Sequence, residues 1–129
     1  RVSAQKGIDG VAMNPLDYCL QKASEIPYIK GQQRHYAVVT DKRGRVISES
    51  RNLYNKTHPQ MMITSRKLGL VKEFCHAEQL ALLRARGRGC KLFVARVDSK
   101  NRPVYSGPCP VCSVLIKESG HIKSVEFSV

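Results

Sequence analysis

The sequence predicts an α/β fold of three layers, in which helices cover both faces of a mixed sheet of four to five strands. Residues 35–40 and 45–50 are strand-rich segments on either side of a polar turn, a pattern that predicts an antiparallel hairpin. A strand-helix-strand pattern over residues 91–129 predicts a parallel, right-handed crossover. A hairpin joined to a crossover makes the sheet mixed. We expect one domain over residues 1–129.

The first helix is predicted to begin at Asn14-Pro15, because Asn is a favoured N-cap residue and Pro suits the first helical position. Apolar residues then recur on one helical face until Pro27. They are Leu16, Cys19, Leu20 and Ala23. Residues 1–13 show no such period and are expected to form an arm.

The hairpin strands flank a turn of charged residues that ends in Gly44. His35 opens the first strand, and we expect it to be a strand residue and not a metal ligand. The connection over residues 53–74 is long enough to carry structure or function of its own. Met61, Met62 and Ile63 are expected on a short helix within it.

Two further helices are predicted in the second half of the chain. Cys75 to Arg86 is rich in Ala and Leu and ends in basic residues before Gly87, which indicates a mostly buried helix. Pro110 suits the first position of the other helix, with Cys109 as its N-cap. Lys91–Val97 is predicted as a core strand between these helices, followed by a polar turn over residues 98–103.

Two short motifs lie at the starts of these two helices. His76 precedes Glu78 by two residues, and Pro108 precedes Cys109 and Cys112, which have the C-x-x-C spacing. One histidine and two cysteines would leave zinc a fourth position for water, whereas structural sites usually close all four. Zinc lowers the pKa of bound water from about 15.7 toward about 7. Glu78 stands beside a ligand and suits a proton carrier.

The cysteines could instead belong to a zinc ribbon, a redox pair or a closed structural zinc site. A lone C-x-x-C pair also occurs in zinc ribbons and redox pairs, but the sequence has no second such pair, and Cys19 and Cys90 lack metal-type spacing. Cys75 could close the site as a fourth ligand and make the zinc structural. Adjacent helical residues point about 100° apart, which disfavours chelation by Cys75 and His76 together.

The combination of H-x-E with P-C-x-x-C is the zinc-deaminase signature, and at these residues the chain resembles the cytidine/deoxycytidylate deaminase superfamily. Residues 46–52 look like the family's second strand and its substrate-contacting asparagine, and residues 120–127 look like its fourth strand. The resemblance implies a cytidine deaminase-like fold, a Zn²⁺ cofactor and a catalytic Glu78. Histidine as the first ligand is closer to the deoxycytidylate and polynucleotide branches. Unlike tRNA-adenosine deaminases, the chain inserts residues 98–107 before the cysteines.

The resemblance also implies that Asn52 contacts the base or sugar of the substrate, and we expect Ala77 to contribute. Tyr54 and His58 are candidates for stacking on a base. The candidates for binding phosphate are Lys56, Arg66 and Lys67. An ordinary surface role is the alternative for each of these loop residues.

The charge of the chain favours an anionic partner. The formal net charge is +12, and ten of the Lys and Arg residues lie between Ser50 and Val97 against only Glu73 and Glu78. Such an excess favours a nucleotide or single-stranded DNA or RNA, although a solvated basic surface is the alternative. No run approaches the roughly 20 apolar residues of a membrane span. The odd count of five cysteines fits a reduced, intracellular and soluble protein.

These observations predict a zinc-dependent hydrolase that deaminates cytosine to uracil, in a deoxycytidylate-type nucleotide and hence in nucleotide metabolism. One alternative is deamination of cytosine, with adenine ranked second, in single-stranded DNA or RNA, which is nucleic acid editing. Another is a catalytically silent nucleic-acid-binding module with structural zinc, against which Glu78 argues. Family analogy adds a homo-oligomer.

Overall fold

A computed structural model of the chain describes residues 14–53, 63, 66–68, 76–107 and 109–129. The elements in chain order are α1 (Pro15–Glu25), β1 (Arg34–Thr40), β2 (Val46–Arg51), α2 (Ala77–Ala85), β3 (Lys91–Val97), β4 (Pro103–Val104), α3 (Pro110–Ser119) and β5 (Ser124–Phe127). The predicted arm and the predicted helical residues Met61 and Met62 lie outside the described residues. Ile63 is helical and exposed. No helix in the described ranges is both long and apolar enough to cross a bilayer.

Strand β1 lies in the middle of the sheet, antiparallel to β2 on one side and to β3 on the other. The outer edge of β3 is divided between two partners. Its first part, Lys91 to Val94, pairs in parallel with β5, and Arg96 and Val97 pair antiparallel with β4. The predicted hairpin, the parallel crossover and the mixed sheet are therefore confirmed, in an α/β fold with a sheet of five strands.

Alternation along β1 sends successive side chains to two separate cores. One face packs against α2, and the opposite face packs against α1, so helices cover both faces of the sheet as predicted. The core on the α2 side includes Ala37, Val39, Leu92 and Val94. The core on the α1 side includes Cys19, Val38, Phe93 and Ala95.

Helix α1 begins as predicted. The side chain of Asn14 accepts a hydrogen bond from the backbone N–H of Asp17 at 2.8 Å, which satisfies one of the free donors of the first turn. The hydroxyl groups of Tyr18 and Tyr36 both donate to the carboxylate of Glu49. This shared acceptor ties α1 to β1 and β2 across a part-buried polar contact.

Arg34 is a buried cation with a structural role. Its side chain is 5% exposed, and its guanidinium donates to the backbone carbonyl groups of Ile26 and Asp98 and to the side chain of Asn101. These bonds join the end of α1 to the turn between β3 and β4. Part of the excess positive charge is thus used inside the fold.

The turn before β3 needs glycine for two reasons at Gly89. Its φ is +85°, which L side chains rarely adopt, and a Cβ there would lie 2.5 Å from Cγ1 of Val39 and 3.0 Å from the carbonyl oxygen of Thr40. Gly44 has the same type of backbone, with φ +86°, but nothing lies within 4 Å of its Cβ position. The two glycines therefore separate backbone strain from steric overlap.

We predict that Gly44→Ala lowers the free energy of unfolding by about 1–2 kcal/mol, the cost of left-handed backbone for an L residue. Gly89→Ala should cost about 1–3 kcal/mol more, because the methyl group overpacks the contact with Val39. Urea unfolding of the two variants measures the difference. Equal costs would show that the close approach to Val39 relaxes freely.

Candidate metal centre

The two sequence motifs lie at the starts of neighbouring helices. His76 is the N-cap of α2, and Cys109 is the N-cap of α3 with Pro110 at its first position, as predicted. The sulfur of Cys109 accepts a hydrogen bond from the backbone N–H of Cys112 at 3.5 Å. Because α2 packs against α3, two positive helix ends lie near the same sulfurs. That field favours thiolate over thiol.

The predicted start of α2 is wrong by about two residues. The sequence placed His76 within the first helical turn, but α2 begins at Ala77 and His76 keeps an extended backbone with φ −85° and ψ 155°. The imidazole makes no side-chain capping bond because it turns toward the cysteines. Glu78 does lie in the first turn, as predicted. The other end also differs, since α2 stops at Ala85.

Three donor atoms converge at this point. Nδ1 of His76 lies 3.2 Å from the sulfur of Cys112 and 3.6 Å from that of Cys109, and the three donors all lie within 4.8 Å of one another. Tetrahedral zinc, with Zn–N about 2.0–2.1 Å and Zn–S about 2.3 Å, requires an N···S separation of about 3.6 Å. The donor set and its spacing therefore fit zinc. Cys75, the alternative fourth ligand, lies outside the described residues.

The two cysteines differ in their affinity for a proton. A hydrogen bond from Cys112 lowers the pKa of the Cys109 thiol to about 3, against the opposing effect of burial, and His76 lowers it further. The same hydrogen bond, followed by burial, raises the pKa of Cys112. The pair thus holds one thiolate and one thiol. Because metal ligands must be deprotonated, zinc binding here releases a proton.

Glu78 is buried beside the three donors. Its side chain is only 4% exposed, and burial raises the pKa of its carboxyl group. The positive charge of His76 and a hydrogen bond with Cys112 lower that pKa, whereas the charge of Cys109 raises it. The carboxyl group is not one of the three clustered donors. Its affinity for a proton depends on the charges of those donors.

His35 is a neighbour of the site that sequence reasoning missed. It is a strand residue, as predicted, but it lies on the α2 side of β1 with Ala37, and the charges of His76 and Cys109 act on its ring. Burial, followed by the charge of Arg96, lowers the pKa of His35 to about 4. The ring is therefore neutral at pH 7. The period of two along β1 was the signal that could have identified it.

Asn52 closes the end of the β1–β2 pair next to His35. Its side-chain oxygen accepts from the backbone N–H of His35 at 3.0 Å, and its side-chain nitrogen donates to the carbonyl oxygen of Gln33 at 3.1 Å. The amide therefore fixes the position of the strand start that carries the His35 ring. Its contact with a substrate stays a prediction.

Of the remaining candidates, the structure describes Ala77, Arg66 and Lys67. The side chain of Ala77 is fully buried in the α2-side core, so a substrate contact there would involve its backbone. Arg66 and Lys67 are helical and exposed, and their binding of phosphate stays a prediction. The candidates outside the described residues are Tyr54, Lys56 and His58.

The sheet, the two converging helix starts and the His-Cys-Cys donors define an α/β zinc-binding domain. The family model for the cytidine and deoxycytidylate deaminase zinc-binding region matches residues 14–129, and the chain therefore belongs to this family of zinc-dependent deaminases. Neither the comparison with curated proteins nor that with solved structures found a match.

We predict that Cys112→Ser lowers bound zinc from about one ion per chain toward zero, because a hydroxyl is a poor replacement for a thiolate ligand. Metal analysis of the purified protein measures this loss, and added zinc should raise the Tm of the natural sequence but not that of Cys112→Ser. Cys90→Ser is the matched control, since Cys90 is half-buried and outside the donor group. Full zinc content in Cys112→Ser would contradict the assignment.

Proposed function

We propose that the protein deaminates cytosine to uracil by hydrolysis in a deoxycytidylate-type mononucleotide. The observation that carries the proposal is the buried carboxyl group of Glu78, beside three donors that fit zinc without including it. Zinc bound there would act as a Lewis acid and lower the pKa of water. A structural zinc site would have no use for a buried carboxyl group in this place.

Proton transfer is the part of the reaction that the chain itself must supply. Hydrolysis adds oxygen to C4 of the base and breaks the bond to the exocyclic amine, which leaves as ammonia. Glu78 would take one proton from water and deliver it to the ring nitrogen, and would then take the second proton from the hydroxyl group added at C4 and pass it to the departing amine. The opposing effects of burial and of the His76 charge on its pKa suit a group that both accepts and returns a proton.

An uncharged ring lies near the donors. Burial and the charge of Arg96 keep the His35 ring neutral at pH 7, and the Asn52 amide holds the backbone that carries that ring. A neutral imidazole can stack on a nucleobase or form a hydrogen bond with it. The phosphate would then be bound away from the donors, for which Arg66 and Lys67 are exposed candidates.

Part of the net charge of +12 is already used within the fold, which favours a mononucleotide over a polynucleotide. Arg34 is buried and bonded to backbone carbonyl groups. Arg84 donates to the carbonyl oxygen of Glu49 at 2.9 Å, and Arg88 to that of Ala85 at 3.2 Å. Such cations contribute less to binding a phosphate backbone. The remaining positive charge keeps single-stranded DNA or RNA as the second candidate substrate.

We predict that Glu78→Gln lowers kcat for deamination by at least about 100-fold while zinc content is unchanged, because the amide keeps the shape of the carboxyl group but cannot take up and return a proton. Glu25→Gln, the same substitution at an exposed position of α1, is the control and should leave both values unchanged. Steady-state kinetics with parallel metal analysis measures the effect. Undiminished turnover in Glu78→Gln would exclude the proposed proton transfer.

Substrate choice is tested by offering the zinc-loaded protein dCMP, cytidine and a cytosine-containing oligonucleotide and following uracil formation. We expect kcat/KM for dCMP to exceed that for cytidine by at least about tenfold, the effect of one charged phosphate contact. Turnover of the oligonucleotide alone would favour the second candidate. Salt-sensitive oligonucleotide binding without turnover of any substrate would instead identify a silent binding module.

A further inference from the structure

Two buried serine side chains meet on the outer edge of β3, between its two partner strands. The pairing with β5 ends at Val94, and the pairing with β4 begins at Arg96. Ser106, which comes after β4, is 2% exposed, and Ser128, which comes directly after β5, is 3% exposed. Their side-chain oxygens lie 2.9 Å apart. Each of the two edge strands therefore sends one serine to the same place.

Each of these hydroxyl groups both donates and accepts a hydrogen bond. The Ser106 hydroxyl donates to the carbonyl oxygen of Val94 at 2.9 Å and accepts from the backbone N–H of Ser128 at 3.0 Å. The Ser128 hydroxyl donates to the carbonyl oxygen of Val104 at 2.6 Å and accepts from the backbone N–H of Arg96 at 3.0 Å. The two side chains thus continue the hydrogen bonding of the β3 edge from one partner strand to the other.

The serine pair fixes the segment that leads to the cysteines. Ser106 lies three residues before the metal ligand Cys109. Its backbone N–H donates to the carbonyl oxygen of Ser128 at 2.9 Å, so both its backbone and its hydroxyl are tied to the sheet. Cys109 is also the N-cap of α3. The place where Ser106 is attached to the sheet therefore governs where α3 begins.

The metal donors stand on two separately supported segments. His76 begins α2, which packs on β1 and β2. Cys109 and Cys112 belong to the start of α3, where Cys112 packs in a small core cluster with Val111 and Leu115. The distance from the His76 nitrogen to the two sulfurs therefore depends on how the start of α3 is placed relative to the sheet.

We propose that Ser106 and Ser128 are positioning residues of the metal centre. Their hydrogen bonds hold the segment before Cys109 at the height of the sheet where its sulfur can share a metal ion with His76. Neither serine belongs to the donor group, so both act through the backbone. The proposal rests on the metal centre and not on the proposed reaction, and its test measures metal binding without turnover.

Competition for zinc with a chromophoric chelator tests the proposal on the full chain. Ser106→Ala should weaken zinc binding about tenfold, the lower end of what partners outside the ligand set contribute. Ser128→Ala should weaken it less, because the backbone of Ser128 still bonds to Ser106. Ser50→Ala is the matched control, since Ser50 is 4% exposed and its hydroxyl bonds to the carbonyl oxygen of Arg51. It should leave zinc affinity unchanged, and urea unfolding shows what each substitution costs in stability.

Cobalt in place of zinc separates positioning from stability. The absorption bands of cobalt bound to thiolates depend on ligand geometry, and the free energy of unfolding does not alter them once the folded protein is saturated. We expect Ser106→Ala to shift these bands at saturating cobalt and Ser50→Ala to leave them in place. Because both hydroxyls act on one segment, the double variant Ser106→Ala/Ser128→Ala should weaken zinc binding less than the product of the two single effects.

Three outcomes would overturn the proposal. Natural zinc affinity and a natural cobalt spectrum in Ser106→Ala would show that the metal centre does not depend on the serine pair. An equal loss of affinity in Ser106→Ala and Ser50→Ala, with identical cobalt spectra, would show that the hydroxyls only support the fold. Single effects that multiply in the double variant would show that the two serines act separately. If Ser106→Ala does not fold, Ser128→Ala decides by the same two measurements.

Discussion

The candidate metal centre depends on one histidine nitrogen and two cysteine sulfurs that lie close together. Those ligands are 33 and 36 residues apart along the chain, so no local structure can bring them together. The sheet does so by placing α2 and α3 side by side with both N-termini at the same end. Each helix start then contributes its dipole as well as its ligand, and the stabilised thiolate follows from that arrangement.

The charged groups around the donors are tuned by burial and by one another. The hydrogen bond between the two cysteines lowers the pKa of Cys109 and raises that of Cys112, while burial raises the pKa of Glu78 and lowers that of His35. Perturbed titration of this kind is typical of functional sites, where burial and close charges are combined. Elsewhere charge is used differently, since Arg34 and Arg84 donate hydrogen bonds to backbone carbonyl oxygens and so link neighbouring elements.

Much of this arrangement could be predicted from the sequence, wherever a local rule acts alone. The start of α1 follows from Asn14 and Pro15, and β3 was predicted at its observed bounds because its strand-forming run is uninterrupted. The metal donors were predicted because their residue types and spacing are specific. The start of α2 was wrong because His76 serves a distant partner and not its own helix, a tertiary demand that propensity does not register.

Other features depend on contacts that no single segment encodes. The proximity of His35 to the donors results from strand pairing and from the side of the sheet that α2 covers. Gln79 is buried on α2, and within the described part of the chain neither polar atom of its side-chain amide is hydrogen-bonded, a feature that helix propensity does not indicate. The residues of the long connection, by contrast, show no sequence pattern that would distinguish a functional role from an ordinary surface position.

The division of one edge of β3 between β4 and β5 has a consequence for how this fold can diversify. Strand β3 pairs in parallel with β5 as far as Val94 and antiparallel with β4 from Arg96 onward. The turn that leads to β4 therefore brings that strand to a part of the β3 edge that β5 leaves free. Descendants of such a sequence could lengthen, shorten or reshape that excursion without shifting the crossover that carries the cysteines. Such changes would leave the sheet and the metal donors in place.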